Sequence, residues 1–90
     1  MDAAVHFAQS YAEARAKFLA AAESAALDAE SHGHPMLGRD GEALALDLGF
    51  EGDKDADALL ILSSGCHGVE GFCGSGVQVA LLHDAHWHAA

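Results

Sequence analysis

The stretch from Leu59 to Gln78, LLILSSGCHGVEGFCGSGVQ, restricts the possible folds more than any other part of the chain. It begins with the apolar run Leu59-Leu60-Ile61-Leu62 and passes directly into chain with glycine at 65, 68, 71, 74 and 76. Ala58 to Leu62 is too short for a helix of its own. Being apolar on both faces, it reads as an interior strand of a sheet covered on both sides. Glycines straight after such a strand suit a sharp reversal, because glycine adopts positive φ at little cost. Ser75-Gly76-Val77-Gln78 has capping-box spacing, with Ser75 as N-cap and Gln78 reaching back. Val77, Ala80 and Leu81 then give the following helix, predicted to about Ala85, a buried side.

The preceding chain supplies a helix and a hairpin. From Ala3 to about Ala29, Phe7, Tyr11, Ala14, Phe18, Ala22, Ala25 and Ala29 recur at helical steps, with Asp2 as the expected N-cap and Glu13 and Lys17 correctly spaced to pair. Ser31 to Leu37 is a candidate strand, placed at a sheet edge because Pro35 has no N–H to donate. Gly38-Arg39-Asp40-Gly41 is turn chemistry. After it Leu44, Leu46, Leu48 and Phe50 alternate with Ala43, Ala45, Asp47 and Gly49, the period of a strand with its leucine face buried. The expected fold is therefore α/β: an N-terminal helix, an antiparallel hairpin, a buried central strand and a following helix.

Composition narrows the function classes. The net charge of −10 and only four basic residues, Arg15, Lys17, Arg39 and Lys54, argue against nucleic acid and against anionic membranes. No apolar run approaches the ~20 residues that span a bilayer. Cys66 and Cys73, in a chain whose opening MDAAVHFAQSY lacks an apolar signal core, are expected to be small buried thiols in a reducing compartment, the cytoplasm. As a nucleophile either cysteine would need a lowered pKa, and Cys66 and the adjacent His67 diverge on an extended backbone. Asp53, Asp55 and Asp57 imitate the start of a calcium loop, but Ala58 and Ser64 stand where its glycine and glutamate belong, so Glu51 to Asp57 reads as a solvated connection. His83, His86 and His88 read as exposed residues near the end of the chain.

The residues that suggest chemistry are His67 and Glu70. Zinc takes imidazole nitrogen and carboxylate oxygen, and hydrolytic sites commonly combine three protein ligands with a water. Donors three residues apart in helix-like geometry have Cβ atoms ~5–6 Å apart and point the same way. The pattern by itself is equally compatible with His67 and Glu70 hydrogen-bonding the turn.

The segment Ser64-Gly65-Cys66-His67-Gly68-Val69-Glu70-Gly71-Phe72-Cys73-Gly74-Ser75 resembles the first metal-binding segment of the zinc carboxypeptidase-like (M14) superfamily, and more narrowly its DUF2817 branch. The likeness extends to the YAEARAKFLAAA opening and the HPMLGRDGEALALD hairpin. It implies the first part of a three-layer α/β/α domain, with His67 and Glu70 as the first two Zn2+ ligands. It also implies a peptide or acylated amino acid as substrate of the intact domain. The superfamily's second histidine ligand, substrate-holding arginines and general-base glutamate follow well downstream of this motif. Residues 1–90 are thus expected to be a single, incomplete N-terminal portion, a fragment or truncated frame with little or no hydrolase activity. A non-catalytic remnant or binding module without bound metal is the alternative.

Overall fold

The computed structural model describes residues 2–66 and 68–89. It is mixed α/β, as expected. A short 3-10 helix, Ala3–His6, precedes helix α1, Tyr11–Ser24. Strands β1, Asp28–Leu37, and β2, Ala43–Phe50, form a two-stranded antiparallel sheet. Helix α2, Gly71–Leu82, and the short helix α3, Ala85–Ala89, follow.

The single N-terminal helix of the sequence reading is broken at both ends. Asp2 does act as a cap, but of the 3-10 turn, its Oδ1 accepting from the Ala4 N–H at 2.9 Å. Ser10 caps α1, accepting from the Glu13 N–H at 3.2 Å, and so the helix starts at Tyr11. It stops well before Ala29 because Ala26 turns left-handed, at φ 59°. There the Leu27 N–H donates to Ala22 O at 2.9 Å and the Ala26 N–H to Glu23 O at 3.0 Å, which together form a Schellman closure. The expected Glu13–Lys17 pair is present at 3.2 Å. Lys17 Nζ also donates to the carbonyls of Val5 (2.8 Å) and Phe7 (2.5 Å), tying the N-terminal segment to α1.

β1 begins three residues earlier than the sequence suggested and runs from Asp28 opposite Phe50 to Gly33 opposite Ala45. The register then shifts between Gly33 and Leu37, around Pro35, as befits a residue that cannot donate to a ladder. The hairpin turn falls where expected. Gly41 has φ 79°, and the Gly38 N–H donates to Glu42 O at 2.8 Å.

The leucine face of β2 does not face α1 and is only partly covered, with Leu44 and Leu48 half-buried and Leu46 and Phe50 exposed. Asp47 accepts from Arg15 Nε of α1 at 2.9 Å and from Ser31 Oγ of β1 at 2.6 Å. A Cβ on Gly49 would lie 3.0 Å from Leu27 Cδ1 and 3.8 Å from Phe18 Cζ. The alternate set Ala45, Asp47, Gly49 therefore faces α1, and Leu46 on the opposite set is 63% exposed. A charged pair and a side-chain-free approach at Gly49 decide the orientation against the leucines. At Ala45, Tyr11 Oη donates to the carbonyl at 3.1 Å and accepts from the N–H at 2.8 Å.

The buried residues are small. Ala21 and Ala22 of α1, with Gly76 and Val79 of α2, form the core where the two helices meet. The Phe7 ring lies directly over Gly76, and His6 stacks on His83 with ring centroids 5.2 Å apart. The largest correction concerns Ala58 to Leu62. It forms no strand in this structure, and Leu59, Leu60 and Ile61 are exposed. Among the described residues the sheet holds only β1 and β2, and neither of them pairs with or covers this apolar run.

Candidate functional site

The glycine-rich turn is held between its incoming chain and the start of α2. Gly65 adopts φ 71°. A Cβ on Gly71 would lie 2.9 Å from Gly65 Cα, so the two ends of the loop touch backbone to backbone. A Cβ on Gly74 would lie 3.2 Å from Ser64 Cβ, so the same limb continues along the helix. Three successive bonds wind the chain into α2: Gly71 N–H to Gly68 O (2.9 Å), Phe72 N–H to Val69 O (3.2 Å) and Cys73 N–H to Glu70 O (3.1 Å). α2 therefore begins at Gly71, and the capping box expected at Ser75 is not formed, because Ser75 already lies inside the helix.

Gln78 has a different role from the one its spacing suggested. Its Nε2 donates to Leu62 O at 2.9 Å, and its Oε1 accepts from Ser64 Oγ at 2.7 Å. One half-buried amide thus binds both sides of the limb that enters the loop.

Of the two residues singled out as metal ligands, Glu70 is placed and His67 lies outside the described residues. Glu70 occupies the N-cap position of α2 in helical geometry (φ −61°, ψ −18°) with no capping hydrogen bond from its side chain. Its carboxylate is exposed, and Oε2 lies 3.4 Å from where a Cβ on Gly68 would be. Cys66 and Cys73 are both exposed free thiols, which corrects the expectation that they are buried. A groove of about 810 Å³ runs past the turn, its walls including Tyr11, Arg15, Leu46, Ser64, Gly68 and Gln78.

A family model described as "Protein of unknown function (DUF2817)" matches residues 7–90. The chain belongs to the DUF2817 family. No curated protein and no solved structure matches it. The family match runs from Phe7, the residue that covers Gly76, through the hairpin and the glycine turn, so the packing that seats the turn falls within the DUF2817 region.

As a donor, Glu70 of this DUF2817 chain suits a divalent cation: it is an accessible carboxylate that its own helix leaves uncommitted. Among the described residues no group of three or more His, Cys, Asp or Glu side chains is gathered as a metal site. Two of the histidines near the C-terminus are engaged elsewhere, His83 by its stack on His6 and His88 by hydrogen bonds. His88 bonds to the Glu51 carboxylate through Nδ1 and to Leu82 O through Nε2, at 2.7 Å. Among the described residues no helix is long and apolar enough to cross a membrane.

Sequence reasoning missed Gln78 as a clamp because its partners lie 16 and 14 positions upstream, a separation no helical or strand period reveals. The available signal was a long polar side chain set between Val77 and Val79 on a largely apolar helix.

Proposed function

We propose that this chain carries the first metal-binding segment of a zinc-dependent hydrolase of carboxypeptidase-like (M14) type, with His67 and Glu70 as two of the zinc ligands. The substrate class is a peptide or an acylated amino acid, and the compartment is the cytoplasm. The observation that carries the reading is the loop itself: it is pinned at both ends against one helix, and the exposed Glu70 carboxylate, which makes no capping bond to that helix, stands between Val69 and Gly71, two residues that line an open groove. Bound zinc would supply Lewis acidity and lower the pKa of a coordinated water.

The chain's own residues have simpler duties. Gly65 and Gly71 close the loop without side chains between its ends. Glu70 brings negative charge to the N-terminus of α2, where the helix dipole also favours it. Gly68 keeps the space beside that carboxylate free. The second histidine ligand and the general base implied by the resemblance are not assigned to any of these 90 residues, so weak zinc binding and no amide hydrolysis are expected of this chain alone.

The test is zinc affinity of the purified chain, measured by competition with a chromophoric chelator. One zinc per chain, lost in both His67→Ala and Glu70→Ala, supports the assignment. Zinc binding that survives both substitutions refutes it.

A further inference from the structure

We infer that Gln78 is a positioning residue for the His67–Glu70 loop, its amide fixing the incoming limb at Leu62 and Ser64 to the helix that Glu70 begins. The inference rests on the metal-binding reading above for its purpose, but the clamp itself stands on geometry.

The loop's two ends are held differently. The outgoing end is α2 itself, wound from Gly68 onward by backbone bonds. Among the described residues the incoming end has no such backbone bonds. Leu59 to Leu62 belongs to no sheet and is exposed, so it contributes no ladder to fix the height at which the chain enters the turn. Gln78 provides what the missing ladder does not. Its N–H takes up the Leu62 carbonyl, and its carbonyl takes up the Ser64 hydroxyl.

Both polar ends of one amide are therefore spent on two residues flanking Ser63, two turns along the helix from Glu70. Because the amide is planar, the two bonds fix rotation as well as distance. Beside these bonds Ser64 comes close to Gly74 and Gly65 close to Gly71. A donor pair whose separation is fixed before binding holds a metal more tightly, because less ordering is needed on binding. Residues that orient ligands without touching the metal commonly change affinity by about 10–100-fold.

The experiment compares the whole chain with Gln78→Met, which keeps length and helix propensity while removing both bonds. Ser64→Ala removes one bond, and Ser64→Thr keeps the hydroxyl. Two readouts are taken. The first is zinc affinity by chelator competition. The second, without metal, is the labelling rate of Cys66 by a thiol reagent in a Cys73→Ser background, since Cys66 is an exposed thiol inside the loop. Helix content by circular dichroism verifies folding.

Expected in Gln78→Met are about tenfold weaker zinc binding and severalfold faster Cys66 labelling at unchanged helix content. Ser64→Ala should show a smaller change in the same direction, and Ser64→Thr wild-type values. If Gln78→Met and Ser64→Ala both leave Cys66 labelling unchanged, the clamp does not hold the loop and the inference is overturned. If labelling rises but zinc affinity stays at the wild-type value while His67→Ala and Glu70→Ala lower it, Gln78 orders the loop without positioning the ligands, and the inference is again overturned. If His67→Ala and Glu70→Ala leave zinc binding intact, the metal reading fails instead, and Cys66 labelling still decides the clamp.

Discussion

Replacing Gly76 with alanine tests the contact that brings α1, α2 and the N-terminal segment together. A Cβ there would fall 2.1 Å from Phe7 Cδ1, 2.4 Å from Cε1 and 2.6 Å from Cγ. Carbon atoms prefer roughly 3.5–4.0 Å, so the ring would have to move by about 1.4 Å. A swing of the ring tip alone is insufficient, because Cγ is also too close.

If Phe7 stays, overpacking costs about 1–3 kcal/mol. If it leaves, burial is lost instead. Phe7 is 38% exposed, so roughly three-fifths of the ~1.5–3 kcal/mol for a fully buried phenylalanine is at stake, about 1–2 kcal/mol. Against either cost, alanine is the better helix former by about 1 kcal/mol.

The net effect in the wild-type chain is a destabilisation of up to about 2 kcal/mol, and about 1 kcal/mol shifts the Tm of a domain this size by roughly 4–8 °C. The sign reverses in a Phe7→Ala background, where Gly76→Ala should stabilise by about 1 kcal/mol. The assay is urea unfolding of the four members of this double-mutant cycle, followed by circular dichroism. A coupling of about 1–3 kcal/mol is expected. A coupling under about 0.5 kcal/mol, the ordinary error of additivity, would show that Phe7 does not rest on Gly76 and would refute the reasoning.

Other perturbations have equally definite signs. Ala26→Gly relieves a left-handed residue at the end of α1, removing ~1–2 kcal/mol of strain against ~0.5–1 kcal/mol of added chain entropy; thermal melts should show a gain of about 0.5–1 kcal/mol, and a loss would contradict the closure described above. Burial would raise the Asp47 carboxyl, but the hydrogen bonds from Arg15 and Ser31 and the Arg15 charge outweigh it and hold the group below the ordinary carboxylate range. A lowered folded pKa stabilises above the unfolded value, ~3.9, and that contribution is lost as pH falls through the folded pKa. Acid-range melts of Asp47→Asn should therefore show a shallower loss of stability than wild type, and identical slopes would contradict the pairing. Both ring nitrogens of His88 meet acceptors, Leu82 O and the Glu51 carboxylate, and only the imidazolium can donate to both. The Leu82 carbonyl first, then Glu51, raises its pKa. The stabilisation is complete below the unfolded value, ~6.5, and is lost as pH rises through the higher folded pKa. Proton NMR titration should place the His88 midpoint above the ordinary histidine value, and Glu51→Gln should lower it; a midpoint unmoved by that substitution would contradict the contact.

What the sequence revealed, and what it concealed, follows from the range of the interactions involved. The hairpin turn and the Glu13–Lys17 pair are local, and their chemistry is written in adjacent residues. The start of α1 is local too, yet Asp2 and Ser10 both carry cap chemistry, and only the wound chain shows that Asp2 serves a separate 3-10 turn. The direction in which β2 faces was misread because alternation identifies two faces without saying which one is covered. Asp47 with Arg15, and the vacant side of Gly49, settle it through contacts spanning 32 residues in one case. The apolar run at Leu59 has a strand's composition, but a strand also needs a neighbour to bond with, and among the described residues the sheet offers none there. In the candidate site, the glycine turn leading into a helix was legible from its spacing, whereas Gln78 was drawn into a capping motif that the helix bypasses by starting at Gly71.

The double bond that Tyr11 makes to Ala45 has a consequence for self-association. An outward-facing peptide on a flanking strand is normally a template onto which another chain can add, rung by rung, towards a fibril. Here the phenol already fills one such rung, acting as donor and acceptor together. A recruit arriving along that flank would have to evict the hydroxyl before it could zip past. Tyr11→Phe would leave the ring in place and the rung vacant.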